Sequence, residues 1–147
     1  MRKALIAVLI TMGIFSKLFG VDPEDEAPRN KVITIEQLQE MFTNMAENPG
    51  WDLKAPLLWG YFFTNDSPQS LERAKEILVN EGYRFVNIFV SDKDEPTDPD
   101  LFWLHVEKEE VHTPETLDKR NDELYRLAEK LGLKSYDGID VGPIAKD

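Results

Sequence analysis

The sequence predicts an α+β domain in which two helices cover one face of a four-stranded antiparallel sheet, and three observations lead to it. Strand-like apolar runs and segments of helical periodicity follow each other in the order β-α-β-β-α-β. Both helices begin at a Ser-Pro or Thr-Pro pair and end near a glycine, so the two halves share the same boundary signals. The 147 residues leave roughly 90–110 for this domain, enough for a core without the disulfides that a chain lacking cysteine cannot form. Together these observations outline a ferredoxin-like sandwich, preceded by one extra N-terminal helix.

Residues 1–21 are predicted to lie outside the domain, as a signal peptide or an N-terminal membrane anchor. A short basic start precedes the uncharged run Ala4–Phe15, which fits the core of a signal peptide better than a membrane span of about 20 residues. If it is not cleaved, residues 4–21 can anchor the chain in the inner membrane, and the charge bias around the run favours export of the remainder. We expect an exported, periplasmic or anchored protein, or a cytoplasmic one if the leader is not functional. The alternative for the run is a helix buried in the domain, and residues 22–33 form a linker.

Residues 34–147 are predicted to form the folded domain, with its core over residues 56–145 and the extra helix over residues 34–48. The helix begins at a capping box, in which Thr34 accepts from the helix N-terminus and Gln37 reaches back. Its apolar stripe is more typical of core packing than of an adaptable, methionine-rich partner surface. The stripe consists of Ile35, Leu38, Met41, Phe42 and Met45.

The first strand–helix unit begins with the bulky run Leu57–Phe63, which is typical of a strand. The helix that follows has Ser67 as its predicted N-cap and Pro68 at its first position. Gly82 ends it as the glycine beyond the C-cap. The predicted buried stripe of this helix consists of Leu71, Ala74, Ile77 and Leu78.

The second unit starts with two strands, predicted over Tyr83–Val90 and Leu101–Val106. A helix then begins at Thr113, with a proline next to it, and ends at Gly132. The stretch Leu133–Ile144 is the last strand and completes the sheet. The predicted buried stripe of the second helix consists of Leu117, Leu124, Leu127, Ala128 and Leu131.

The face of the sheet that the two helices leave uncovered is predicted to be apolar. Strand alternation places Tyr83, Phe85, Phe89 and Trp103 on it, together with alternate residues of the first strand. A face this apolar needs a cover. The helix over residues 34–48 is the nearest candidate within the chain, and a partner protein is the other.

A Tyr-Asp-Gly turn lies inside the last strand. Because Asp-Gly favours turns and Gly138 can adopt a positive φ, we expect this turn to bend the edge strand. Asp137 and Asp140 are then contacts at the rim of the sheet, as are acids of the loop between the second and third strands. The candidate partner-binding residues are Tyr136, Asp137, Gly138, Asp140, Asp92, Asp94 and Glu95.

The charge of the chain indicates which partners it can bind. The net charge is −11, from 28 acidic and 17 basic residues. Such a surface repels phosphate backbones, which argues against direct nucleic-acid binding. It favours a basic protein partner through electrostatic steering. The alternative is that the acidity only keeps a small protein soluble. Any membrane contact is expected through the N-terminal segment alone.

The acidic loop after the second strand suggests a calcium site, but its spacing is wrong. Counted from Asp92, an EF-hand loop needs glycine at its sixth position and glutamate at its twelfth. Those positions hold Thr97 and Trp103. We therefore predict a solvated loop between two strands and no calcium.

A metal-dependent enzyme is a further possibility, because His105 and His112 could bind a metal together with Glu107 or Glu110. Strand alternation places the two histidines on different faces, which argues against the site. The sequence also contains no nucleophile elbow, phosphate-binding loop or dinucleotide fingerprint. We predict a non-enzymatic protein without metal or cofactor.

Several short motifs follow one another in a fixed order. They are Trp-Gly-Tyr-Phe-Phe at residues 59–63, Glu-Gly-Tyr-Arg-Phe-Val at 81–86, Leu-Gly at 131–132 and Tyr-Asp-Gly at 136–138. In this order they resemble the RraB family, whose members are protein inhibitors of ribonuclease E. The resemblance covers roughly Leu57–Ile144.

The resemblance to RraB implies a small acidic protein of ferredoxin-like fold that has no enzyme activity and acts by binding another protein, ribonuclease E. This agrees with what the charge and the motifs indicate. The alternative function is that of an exported or membrane-anchored envelope protein that uses the same fold to bind a toxin, an envelope protein or a ligand.

Overall fold

The computed structural model of the chain describes residues 27–145, so the predictions made for the leader over residues 1–21 lie outside the described part. Within that part no helix has both the length and the apolar character that crossing a membrane requires. Three helices and four strands follow one another in the order α1, β1, α2, β2, β3, α3, β4. Their bounds are α1 Ile35–Ala46, β1 Leu57–Asn65, α2 Pro68–Asn80, β2 Arg84–Val90, β3 Phe102–Glu110, α3 Pro114–Lys130 and β4 Ser135–Gly142.

The four strands form one antiparallel sheet in the order β2-β3-β1-β4. β1 is central and pairs with β3 on one side and with β4 on the other, so β2 and β4 are the two edges. This is the order of a ferredoxin-like sheet, and the predicted fold class is confirmed. β3 begins one residue later than predicted and ends four residues later. The last four residues of the strand, Glu107–Glu110, are charged, so they lack the apolar pattern that predicts a strand.

Helix boundaries follow the predicted signals in all but one case. The Thr34 hydroxyl accepts from the Gln37 N–H, and the Gln37 side chain accepts from the Thr34 N–H, which forms the expected capping box. Thr113 and Thr116 form an equivalent pair at the start of α3. Ser67 occupies the N-cap of α2, but its side chain makes no capping hydrogen bond. That prediction of a side-chain cap is wrong.

The two glycines that end α2 and α3 have the predicted left-handed conformation, with φ of 98° at Gly82 and 67° at Gly132. In each case the next N–H turns back to the helix, from Tyr83 to the Leu78 carbonyl and from Leu133 to the Ala128 carbonyl. The apolar residue after each glycine is thereby placed in the core, where Tyr83 is 6% exposed.

The core lies between the helices and the face of the sheet that we call the covered face. Alternate residues of β1 are almost fully buried there, and those of β3 and of α3 pack against them. The central members are Trp59, Tyr61, Phe63, Leu71, Leu78, Leu104, Val106, Leu117 and Leu124.

Helix α1 does not cover the opposite face of the sheet, so that prediction is wrong. Its residue Phe42 stacks on Trp59 at 5.8 Å between ring centroids, and Trp59 belongs to the covered face. α1 also packs against α3. The helix therefore belongs to the same helical layer, where its apolar stripe packs against α3 and Trp59.

The segment before α1 is bound to α3 as well. Lys31 Nζ lies 2.8 Å from a carboxylate oxygen of both Asp118 and Asp122. The Val32 and Ile33 N–H groups both donate to the hydroxyl of Tyr125, at 3.1 Å. These contacts fix where the chain enters the helical layer and explain why α1 is held on that side.

A bulge in β2 overturns two of the side-chain placements predicted from alternation. Phe85 pairs with Val106 and Asn87 with His105, so Val86 is an extra residue and the alternation shifts by one. Phe85 consequently lies on the covered side, 4.8 Å below the ammonium of Lys75. Tyr83 precedes the strand and is buried beside Tyr61, also on the covered side.

Candidate functional site

The face of the sheet turned away from the helices is the candidate functional site, and we call it the open face. No helix among residues 27–145 lies over it, since α1, α2 and α3 all pack on the other side. The strand register assigns its members. They are Leu58, Gly60, Phe62 and Thr64 from β1, Trp103, His105, Glu107 and Glu109 from β3, Arg84, Asn87 and Phe89 from β2, and Gly138 and Asp140 from β4.

Four rings form a continuous row across three strands of the open face, which we call the aromatic row. Phe62 stacks on His105 at 4.3 Å and meets Trp103 edge-on at 6.4 Å. Trp103 in turn stacks on Phe89 at 6.1 Å, with the two ring planes 9° apart. Phe89 remains 37% exposed. The row is therefore an aromatic surface in contact with solvent.

Two polar atoms of the aromatic row have no hydrogen-bond partner. They are Nε1 of Trp103 and Nε2 of His105. A buried polar group without a partner costs about 1–3 kcal/mol. Most such groups in folded proteins are satisfied. Nδ2 of Asn121, on α3, shares this property with the pair.

Gly60 lies at the floor of the open face, between β3 and β4. Nε2 of His105 and Oδ1 of Asp140 both lean over it, so closely that a Cβ built on Gly60 would overlap them. A glycine within a strand often marks such a close approach. It allows an imidazole and a carboxylate from two different strands to meet beside the aromatic row.

The charges around the aromatic row are mainly negative. Arg84 contributes the one guanidinium of the open face, and it is already bound: its Nη2 lies 2.6 Å from Glu107, and Glu109 is 3.9 Å from its Nη1. Asp140 is exposed and has no ion pair with any described residue. The open face thus offers carboxylates rather than cations to a partner.

The covered face carries a polar cluster of a different kind, which we call the Glu110 network. Arg120 donates to both oxygens of Glu110 at 2.7 Å, and the Tyr61 hydroxyl donates to it at 3.0 Å. Nε2 of His112 also lies 3.0 Å from Glu110. Because a carboxylate only accepts, this nitrogen carries a proton, and Nδ1 lies 3.0 Å from the Thr116 hydroxyl.

Burial alone would raise the pKa of Glu110, but hydrogen bonds from His112 and Arg120 overcome it and lower the pKa to about 2. Burial also raises the pKa of Tyr61, and the neighbouring Glu110 charge adds to that effect. The network therefore holds an ionised carboxylate, a bound guanidinium and a neutral phenol at neutral pH. Its atoms satisfy one another and join β3 to α3, which is the arrangement of a structural link.

The two histidines lie on different faces, as predicted. His105 stacks on Phe62 of the open face, whereas His112 packs edge-on against Trp59 of the covered face at 5.2 Å. Across residues 27–145 no cluster of three or more His, Cys, Asp or Glu side chains could hold a metal ion.

The structure separates the predicted partner-binding residues into two groups. Asp92, Asp94 and Glu95 are exposed in the connection between β2 and β3, whereas the others lie on β4. β2 and β4 are the opposite edges of the sheet, about 14 Å apart at the usual strand spacing. The two groups cannot form one compact site, and whether either contacts a partner stays a prediction.

Within the β4 group the residues differ in accessibility. Tyr136 is 3% exposed, and its hydroxyl donates to Oδ1 of Asn121 at 2.6 Å in the core. Asp137 is the extra residue of a bulge, since Phe62 pairs with Gly138 and Phe63 with Tyr136. The turn therefore disturbs the edge strand, as expected. Gly138 does not have the positive φ that we considered for it.

Sequence reasoning placed Phe89, Trp103 and alternate residues of β1 on this face, but it did not single out Phe62, His105 and Gly60 as parts of one site. Their signal is the alternation of β1, in which every second residue from Leu58 lies on the open face. It is hidden because residues on both faces of β1 are bulky and apolar. A second surface feature is an open groove along α1, lined by Met41, Met45 and Trp51 among others.

No curated protein matches the chain. The family model described as "Regulator of ribonuclease activity B" matches residues 35–141, which is well over half of the sequence and includes α1 and the whole sheet except its last residue. The chain therefore belongs to the RraB family.

Proposed function

We propose that this protein inhibits a ribonuclease of the ribonuclease E type by binding directly to it, without catalysis of its own. The observation that carries the proposal is the family match over residues 35–141. RraB is a family of regulators of ribonuclease activity. The fold adds support, because Glu110 and Arg120 bind each other through two hydrogen bonds and the open face carries an accessible aromatic ring, Phe89.

The net charge of the chain favours a basic region of the enzyme as the binding site. A protein with net charge −11 is attracted to a basic region of the enzyme before contact. The acids at both edges of the sheet, including Asp92 and Asp140, are placed to take part at the rim. Interactions of this kind act mainly on the association rate and weaken as salt is added.

The test is a titration of the full-length chain against purified ribonuclease E, with cleavage of a fluorogenic RNA followed in parallel. We expect saturable inhibition in step with binding, and affinity that falls at least tenfold between about 50 and 500 mM salt. Binding that does not change with salt contradicts acidic docking. The absence of both binding and inhibition contradicts the proposed function.

Charge-neutralising variants refine this test. One replaces the loop acids (Asp92→Asn, Asp94→Asn and Glu95→Gln), and the other replaces the β4 acids (Asp137→Asn and Asp140→Asn). The matched control neutralises three exposed acids on helices, Glu36→Gln, Glu40→Gln and Glu76→Gln, and removes as much charge as the loop variant without touching the sheet edges. The same control without Glu36→Gln removes two charges and matches the β4 variant. Specific edge contacts predict weaker binding for the first two variants and near wild-type binding for the control.

We also propose a second function, for which the uncharged run Ala4–Phe15 and the basic residues before it are the supporting observation. A chain exported by this leader acts in the cell envelope, where its partner is another protein or a ligand. A reporter enzyme that folds only outside the cytoplasm, fused after Val21, is expected to be active. Activity of a cytoplasmic reporter at the same fusion point, with none of the exported one, contradicts export.

A further inference from the structure

We propose that the open face is the surface that receives the partner, and that its occupant is a segment of the regulated ribonuclease carrying arginine side chains, which stack on the aromatic row and bind the carboxylates beside it. This inference rests on the proposed function and specifies its site. It assigns the recognition chemistry to the aromatic row and to the carboxylates beside it, Asp140 among them, and it leaves the other exposed acids to steer the approach.

The apolar character of the open face is the first support. Phe89 is 37% exposed, and it continues the surface formed by Phe62 and Trp103. Covering such a patch stabilises a complex by about 25 cal/mol for each Å² removed from water. Large apolar patches of this kind on a soluble protein mark interaction sites.

The second support is charge complementarity. Asp140 stands beside the aromatic row without an ion pair, and Glu107 and Glu109 lie on the same face. Arg84 neutralises only part of this charge. A guanidinium that binds there contacts an aromatic ring and a carboxylate at the same time. Arginine suits that combination because its planar group stacks on rings and donates to carboxylates at the same time.

The protein uses the same combination on its covered face. There the guanidinium of Arg120 lies 5.4 Å from the ring of Tyr83 and 5.8 Å from that of Tyr61, while it binds Glu110 through two hydrogen bonds. Among residues 27–145, every cation found over a ring lies over Tyr61, Tyr83 or Phe85, which are all on the covered side. The open face has the rings and the carboxylates but no cation over them.

Two other occupants fit the apolar surface less well. Single-stranded RNA also stacks on strand aromatics, but its phosphates would meet Glu107, Glu109 and Asp140 with Arg84 already bound. A second copy of the chain would bring another net charge of −11 to the same face. Both are separate outcomes of the experiment below.

The test uses the three tryptophans as position reporters. The full-length chain is labelled with 5-fluorotryptophan, its three ¹⁹F signals are assigned with Trp→Phe variants, and ribonuclease E is added. Docking on the open face shifts the Trp103 signal. Trp59 is 1% exposed with its Nε1 bound to the Glu110 carbonyl, and it should not move. Trp51 lines the groove along α1, so a shift of Trp51 without Trp103 places the partner there and overturns the inference.

Two phenylalanines of one strand provide the matched variants. Phe89 and Phe85 are 37% and 39% exposed and lie on opposite faces of β2. We expect Phe89→Ala to weaken binding of ribonuclease E at least tenfold and Phe85→Ala to weaken it less than twofold. Asp140→Asn is expected to weaken it severalfold, and Glu76→Gln on α2 to leave it unchanged. Equal effects within each pair overturn the inference while the proposed function stands.

A peptide arm separates failure of the inference from failure of the proposed function. If ribonuclease E does not bind, the proposed function fails, and the open face is then probed with an Arg-Leu repeat peptide and a Lys-Leu peptide of equal charge. A Trp103 shift with the arginine peptide alone supports the inference. Equal shifts with both, or none, overturn it. A Trp103 shift with an RNA oligonucleotide, or one that grows with protein concentration alone, also overturns it in favour of RNA or of a second copy.

Discussion

The two faces of the sheet use similar side chains in opposite ways. On the covered face, Trp59, His112 and Glu110 are joined to one another or to α3 by hydrogen bonds. On the open face, Trp103 and His105 have ring nitrogens without partners. Most polar groups removed from water are satisfied within a folded chain, but Nδ2 of Asn121 in the core also has no partner. Accessibility separates the two faces more clearly, since Trp59 is 1% exposed and Phe89 is 37% exposed. The covered face therefore contributes to the core, and the open face leaves an aromatic ring accessible to solvent.

The largest expected effect comes from breaking the Glu110 network. Glu110→Ala leaves Arg120 buried without its carboxylate, and loss of one partner of a buried ion pair costs about 3 kcal/mol of the free energy of unfolding. Glu109→Ala changes the preceding residue, which is exposed on the open face. It should lower the free energy of unfolding by less than about 0.5 kcal/mol. Urea denaturation followed by tryptophan fluorescence measures both. Similar losses for the two variants would mean that the network does not link β3 to α3.

A Trp→Phe substitution made once on each face compares how much the two faces contribute to stability. Trp59→Phe removes a fully buried indole and its hydrogen bond to the Glu110 carbonyl, and we expect a loss of about 2 kcal/mol. Trp103→Phe removes an N–H that has no partner, so the loss should stay below about 1 kcal/mol. Thermal or urea unfolding of both variants is the measurement. A larger loss for Trp103→Phe would show that the open face contributes to folding as the covered face does.

The pH dependence of stability tests the same contrast. The pKa of Glu110 is lowered from 4.5 to about 2 in the folded protein. Its stabilisation is therefore complete above about pH 4.5, and it is lost as the pH falls towards 2, by about 1.5 kcal/mol after allowance for partial solvent access. The difference in unfolding free energy between wild type and Glu110→Gln should shrink between pH 5 and pH 2.5. A constant difference for Glu110→Gln would contradict the lowered pKa.

Much of the covered face could be predicted from sequence, because local rules fix it. The helix starts at Thr34 and Thr113 and the ends at Gly82 and Gly132 depend on a few adjacent residues, and each is where the sequence placed it. The strand order followed from the alternation of elements. These features need no knowledge of distant contacts.

The open face could be predicted only in outline, for two physical reasons. The bulge at Val86 shifts the alternation of β2, and nothing in the sequence around it signals an extra residue. Phe85 was therefore assigned to the wrong side. The location of α1 depends on contacts of Lys31 and Tyr125 that join residues more than 80 positions apart. A sequence pattern specifies that α1 has an apolar stripe but not which layer receives it.

The smallest expected effect is that of Gly60→Ala, and it decides how rigid the open face is. A Cβ at this position would overlap Nε2 of His105 and Oδ1 of Asp140, which are the ends of side chains rather than backbone. If the open face is adaptable, both ends move aside and stability falls by less than about 1 kcal/mol. The His105 ring signals in the NMR spectrum should still shift, while those of His112 on the covered face should not. A loss well above 1 kcal/mol would mean that the two side chains are held in place, so that a partner would have to fit the open face as it stands instead of reshaping it.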